Sequence, residues 1–483
     1  MACAVGLAAE PQWTIVRSAS MTVIGDQPVA LLRDIAQRLE NFRAGVATLI
    51  QDAQRPAPMP TVVFVFGARK AIQPFLPLGK DGRPAAFGGF FHRDADVNYI
   101  ALSLEGFDDN LPVVFHEYTH LLVRNAVRSV PVWLNEGLAE YYSTFAMAPN
   151  GDRVEAGRPV LPHVRLLRQR LLPVAELIAV DASSELYDEG VRRSMFYAEA
   201  WALTHYLMVE APDGPAAINH YAREVAAGRR AIDAFIDAFG TTPAKFDERL
   251  RQYVRRPVFR SRTYDLPARV EAGASVEGRA LSAGEANAWL GDLQRRVRRK
   301  TEATARIESA VRIDSESSIV QLALGLLRID QGRTSEAWPA LERAVALAPD
   351  DFLTAYAYGV SLLREAAQVD GVIADALALA RSQSALRRAT AINPGASDAW
   401  AWLAYADMLD DQQLQEAEDA ITRAIELSPG RLDYRLRCAD VSILRGRLDD
   451  ARRMLSELAA VTTDRTVAER AELRLMALKR QRQ

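Results

Sequence analysis

His116-Glu117-Tyr118-Thr119-His120 sets two imidazoles four residues apart around a carboxylate. In a helix that spacing puts both rings on one face, about one turn apart, where they can share a single metal ion. Glu117 is then angled toward a water beside the metal rather than toward the metal itself. Pro112, just after Asp108-Asp109-Asn110, predicts a helix start at that point. A second stretch, Pro131-Val-Trp-Leu-Asn-Glu136-Gly-Leu-Ala-Glu140, follows, with 15 residues between His120 and Glu136. That is enough for a turn and an antiparallel helix. Glu136 would become the third ligand and leave a fourth position open for water, the form of a catalytic zinc site. Glu140, one turn later on the same face, can accept a hydrogen bond from the outer nitrogen of a ligating histidine. The competing reading is a metal-free helix with two surface histidines and a solvent-facing carboxylate pair.

Trp133-Leu134-Asn135-Glu136-Gly137 resembles the Trp-Leu-Asn-Glu-Gly of the aminopeptidase-N-type gluzincins, and the whole stretch is similar to the wider peptidase-MA-like group of bacterial proteins. The resemblance implies a zincin-like fold, a zinc ion on His116, His120 and Glu136, and Glu117 as general base. A metzincin pattern is excluded, because it needs Gly and His where Val123 and Ala126 stand. Tyr197-Ala-Glu-Ala-Trp201-Ala-Leu-Thr-His205-Tyr-Leu resembles the helix that begins with the transition-state tyrosine of those aminopeptidases, which implies Tyr197 as an oxyanion partner. Tyr197, Trp201 and His205 fall at i, i+4 and i+8, so one helix face presents all three and His205 joins the catalytic candidates. An aromatic core stripe with a satisfied histidine competes with that reading. Two departures bear on exopeptidase activity. The spacer before Glu136 is shorter than in the aminopeptidases, and their Gly-Ala-Met-Glu-Asn amine-binding motif is absent upstream. Asn98-Tyr-Ile-Ala-Leu102 stands there instead, readable as a peptide-binding edge strand or as an ordinary strand.

These residues need elements to carry them. Trp13–Val23 alternates apolar and polar residues and predicts a strand; Val29–Ile50 has helical apolar spacing. Thr61–Phe66 predicts a buried strand, and Phe90, Phe91 and Asn98–Leu104 predict one or two more. From Leu111 to about Tyr253 the pattern is mostly helical. Ala310-Val-Arg-Ile-Asp-Ser315, Ala344-Val-Ala-Leu-Ala-Pro349, Ala389-Thr-Ala-Ile-Asn-Pro394 and Ala424-Ile-Glu-Leu-Ser-Pro429 vary one phrase, their ends separated by 34, 45 and 35 positions. This resembles tetratricopeptide repeats over roughly 281–479, with Gly325, Gly359 and Ala404 at the small-residue positions and about eleven extra residues around Gln368–Leu377. Such repeats imply a concave protein- or peptide-binding surface.

The expected fold class is therefore an α+β zincin-like metallopeptidase domain followed by an all-α tetratricopeptide superhelix. Its boundaries are a β-rich lobe at 11–107, a helical lobe at 108–260, a linker at 261–280 and repeats at 281–480. A formal charge of −3 over 483 residues gives no reason to expect a nucleic-acid partner. Cys3 and Cys438 make no disulfide framework, and no apolar run is long enough to span a membrane. Residues 1–10 read as the end of a secretory signal with small residues near Ala8 and Ala9, or equally as an ordinary N-terminus. The first reading implies export to the periplasm or medium, the second the cytoplasm. The expected activity is peptide-bond hydrolysis by a zinc-activated water on a peptide or protein substrate, with the repeats recruiting substrate or partner. The alternatives are a repeat scaffold with a vestigial peptidase-like domain and a zinc hydrolase of non-peptide substrates.

Overall fold

The computed structural model describes residues 12–18, 20–49, 60–78, 82–84, 89–93, 97–126, 130–169, 171–181, 184, 190–266, 277–366, 375–461 and 465–480. Residues 1–10, most of the Gln368–Leu377 insertion and part of the expected linker lie outside them. The chain forms a mostly helical protein with an N-terminal α/β region. Two compact units account for it, one from Met1–Glu40, Pro60–Asn110 and Ala272–Tyr358, the other from Asn41–Met59, Leu111–Glu271 and Gly359–Gln483. Its breaks at 110/111 and 271/272 fall beside the expected lobe boundary and inside the expected linker, while those at 40/41, 59/60 and 358/359 have no counterpart in the expected division.

In the first unit, β1 (Thr14–Arg17), β2 (Met21–Gly25), β3 (Thr61–Phe66), β4 (Gly89–Arg93) and β5 (Asn98–Ser103) join one sheet. Its order is β4-β5-β3-β2-β1, and Glu277–Ala280 pairs beyond β1 as a sixth strand. The single strand expected over Trp13–Val23 is instead an antiparallel pair that turns between Ser18 and Ser20. Glu40 of helix α1 (Val29–Leu49) holds both sides of the turn, accepting from Ser18 Oγ at 2.7 Å and Ser20 N at 2.8 Å. β3 is flanked by parallel neighbours and fully buried, which is why its sequence is continuously apolar rather than alternating. β5 lies between β4 and β3, so Asn98–Leu102 is an interior strand and not the edge strand considered from sequence. β4 fills the edge instead.

The described residues of the segment expected as a linker are also structured: besides Glu277–Ala280 they contain a strand at Arg262–Asp265. Soon after Ala280, Ser282 and Glu285 form a reciprocal capping box that starts helix Ala283–Arg296. Leu290 and Leu293 of that helix, with Trp289, pack in one core with Val62, Phe64, Phe66, Tyr99 and Ala101, which occupy alternate positions on β3 and β5. Behind them Asp292 accepts from Tyr99 Oη, Arg296 Nε at 2.9 Å and Arg295 Nε at 2.8 Å.

The helices from 283 onward alternate in the paired manner of tetratricopeptide repeats. A Cβ on Gly325 would meet Leu341 at 2.5 Å, and one on Gly359 would meet Leu386 at 2.8 Å, so both are places where a helix pair needs a small residue. Ala404 is fully buried at the corresponding place.

In the second unit, the site is carried by α2 (Phe107–Ala126), α3 (Val132–Ser143), α4 (Leu161–Leu166) and α5 (Gly190–Val209). α2 begins five residues before Pro112, which sits inside the helix rather than at its start. Ala146–Met147, Arg153–Ala156 and Arg262–Asp265 form a small antiparallel sheet.

Candidate metal centre

The face of α2 opposite the histidines is bound into the core. Phe115 stacks on Phe42 with centroids 4.1 Å apart, Tyr118 is fully buried, and Thr119 Oγ1 donates to Phe115 O at 2.7 Å. α3 is anchored at its first turn by Trp133, whose Nε1 donates to Tyr221 Oη at 3.1 Å in the interior. Gly137 then lets α3 press against α5. A Cβ there would come within 2.1 Å of Thr204 Oγ1 and 2.5 Å of Ala200 O, so this glycine is required for a close helix approach. Anchored at Trp133 and seated at Gly137, α3 directs the intervening Glu136 inward; it is 2% exposed.

The result is a convergence of three atoms. His116 Nε2 and His120 Nε2 are 3.1 Å apart, and Glu136 Oε2 lies 3.4 Å from the first and 3.3 Å from the second. Ligands held about 2.0–2.1 Å from a tetrahedral zinc ion stand about 3.3–3.4 Å from one another, so the residues fit the ion in both chemistry and spacing. The electrostatics agree. Burial opposes ionisation of Glu136, yet its hydrogen bonds and charge attraction to His116 and His120 bring its pKa down to about 2. Burial likewise opposes a charge on His120, but Glu136, Asn135 and Glu117 together raise its pKa.

The neighbours arrange the first three. Glu140 Oε1 lies 3.4 Å from His116 Nδ1, the ring nitrogen on the side away from the cluster, where a carboxylate can orient a ligating imidazole. Glu117 is half-buried beside His120 and forms no ion pair among the described residues. The Tyr197 ring is 6.3 Å from that of His116 with 27° between their planes, so the first turns of α5 bring the phenol to the cluster.

His205 is not brought to the cluster. It is fully buried two turns further along α5, with Nδ1 2.6 Å from Tyr253 Oη and Nε2 2.7 Å from Gly157 O. Burial lowers its pKa to about 4, so it is a neutral core histidine that donates to the Gly157 carbonyl and accepts from the tyrosine. Its place among the catalytic candidates is withdrawn. The site also contains a residue that sequence reasoning missed: His163 of α4, with Nε2 3.1 Å from Glu140 Oε2. No motif surrounds it. The only signal was that the chain has just six histidines.

A family model described as "Protein of unknown function (DUF1570)" matches residues 110–225, the span that carries every residue of this cluster. A tetratricopeptide-repeat model matches residues 408–474. No curated protein matches the chain. Among solved structures, YrrB, a tetratricopeptide-repeat protein with an unusual peptide-binding site, is 18% identical, covering 39% of this chain and 90% of its own, with a TM-score of 0.33. PilF of Pseudomonas aeruginosa is 18% identical over 41% of this chain and 91% of its own, with a TM-score of 0.32. A MamA protein is 18% identical over 39% and 92%, with a TM-score of 0.31. On the family match, the C-terminal region of the chain is built of tetratricopeptide repeats, the type of repeat that binds other proteins.

Proposed function

We propose that this chain is a zinc-dependent peptidase of the gluzincin type whose tetratricopeptide repeats recruit its substrate or a partner. The observation that carries the reading is the triangle of His116 Nε2, His120 Nε2 and Glu136 Oε2, with sides of 3.1–3.4 Å. An ion held there supplies Lewis-acid chemistry when bound. The chain's own residues do the rest. Glu117, uncommitted to any ion pair among the described residues, takes the proton of the attacking water and returns it to the leaving amine. Tyr197 donates a hydrogen bond to the oxygen that becomes negative as the peptide carbonyl is attacked. Glu140 keeps His116 in the tautomer that leaves Nε2 available. The chain has no Gly-Ala-Met-Glu-Asn motif to grip a free amino terminus, which favours cleavage within a chain.

A second reading has support of its own. The comparisons speak for the repeats and not for a peptidase, which favours an interaction scaffold whose metal-site region does no catalysis. Hydrolysis of a casein or mixed-peptide substrate, with and without a chelator, separates the two. Chelator-sensitive hydrolysis that Glu117→Gln abolishes supports the peptidase. Zinc-loaded protein without hydrolysis supports the scaffold.

A further inference from the structure

Glu140 was legible as a support for one ligand, but the structure gives its carboxylate two imidazole neighbours, one for each oxygen. Oε1 faces His116 Nδ1 at 3.4 Å and Oε2 faces His163 Nε2 at 3.1 Å. All three side chains are largely buried, with Glu140 and His116 at 15% exposure and His163 at 13%. We propose that His163 is a positioning residue of the metal centre, which acts through Glu140 to fix the orientation and tautomer of His116. The inference rests on the metal site proposed above.

Three observations carry it. First, Glu140 is the only charged group within ion-pair distance of His163 among the described residues, and neither ring nitrogen has a hydrogen-bond partner there. Burying an imidazole that makes no other polar contact costs free energy, so a ring retained in that position points to the carboxylate as its purpose. Second, the ring is held in place. α4 starts with Pro162 in its first turn, His163 O accepts from Leu167 N at 2.9 Å, and Trp201 of α5 lies 6.3 Å from the imidazole. Third, Glu140 and His163 come from different elements, so the carboxylate is fixed by a group that does not move with α3. A glutamate alone could turn either oxygen toward His116. With Oε2 facing His163, Oε1 is the oxygen left to face His116 Nδ1, and Nε2 stays aimed at the point shared with His120 and Glu136. The pair of His220 and Asp237, at 41% and 45% exposure, differs in lying open to solvent and in having Arg229 as its third member, at 3.0 Å from the carboxylate.

The test is zinc affinity of the full chain, measured by competition with a chromophoric chelator, together with the melting temperature of the metal-free protein. His163→Gln keeps a donor at the Nε2 position, whereas His163→Asn and His163→Phe do not. The expected result for His163→Asn and His163→Phe is zinc binding ~10-fold to ~100-fold weaker, as for loss of an outer partner of a ligating histidine, with affinity within about threefold of wild type for His163→Gln. In a Glu140→Gln background, His163→Asn should cause no further loss. Wild-type affinity in a folded His163→Asn protein overturns the inference and leaves the metal site standing. Equal weakening by His163→Gln and His163→Asn also overturns it, since a role in packing alone would not distinguish them. Absence of zinc binding by wild type overturns the metal site itself, and the inference with it.

Discussion

Each unit of the molecule buries a cluster of charged groups, and the two clusters are built on opposite plans. Around Asp292, one carboxylate meets Arg295, Arg296 and the Tyr99 hydroxyl, and Arg295 reaches Asp330 at 2.8 Å. Two positive charges face two negative ones. The guanidinium groups hold the Asp292 carboxyl far below the usual carboxylate range against the opposing effect of burial. Around Glu136, three electron-pair donors point at one another across 3.1–3.4 Å, and protons on the imidazoles are all that balances the carboxylate. The first cluster is complete as it stands and ties a sheet to a helix. The second converges on a single point with the spacing that a cation would fit. Burial and charge are common to both, so what distinguishes a structural ion cluster from a metal site is whether its atoms close on each other or on a shared point.

The largest expected effect sharpens the contrast on the metal side. Glu117→Gln should lower the hydrolytic rate by ~10²-fold to ~10⁴-fold while zinc content stays at the wild-type level. Near wild-type turnover would remove Glu117 from the chemistry. On the structural side, Asp292→Ala removes the buried carboxylate that accepts from Arg295, Arg296 and the Tyr99 hydroxyl. It should cost about 3–5 kcal/mol in denaturant unfolding without altering zinc affinity in the folded protein. A change in zinc affinity would mean that the clusters are not independent. Tyr197→Phe comes next, with an expected ~10²-fold loss of rate and unchanged zinc content. An unaltered rate would make Tyr197 a packing residue.

The smallest effect tests the rule with a third buried carboxyl that has neither plan. Glu199 is fully buried on α5, accepts from Leu172 N at 2.7 Å, and has no cation partner among the described residues. Burial raises its pKa to about 8 despite that hydrogen bond, so it keeps a proton. Because the folded value is raised, its contribution is fully favourable below the ordinary carboxyl range and is lost as pH rises toward 8. Glu199→Gln preserves the acceptor and removes the titration. It should stabilise the fold by about 1–3 kcal/mol at pH 8, with the gain vanishing near pH 4.5. A pH-independent difference in melting temperature would contradict this.

The divide between what was legible in the sequence and what was not follows the range of the contacts. His116, Glu117 and His120 share one helix, and Glu136 and Glu140 share the next, so periodicities of four residues were sufficient to group them. The repeats were legible because each unit restates the one before it. His205 misled because eight residues along a helix, though on the same face, rise about 12 Å, far enough to leave the surface of a site and enter the core. His163, the capping of the sheet by Glu277–Ala280 and the Asp292 cluster depend on contacts between segments distant in the chain. The one-strand reading of Trp13–Val23 failed for the same reason, since its turn is held by Glu40.

The proposed site holds zinc on His116, His120 and Glu136. Its most direct test is the metal content of purified wild-type protein beside Glu136→Ala, measured by inductively coupled plasma mass spectrometry after exchange into metal-free buffer. Stoichiometric zinc in wild type and its loss from the variant is the predicted result. Zinc retained by Glu136→Ala would mean that Glu136 is not a ligand, and zinc absent from both would mean that these residues hold no metal.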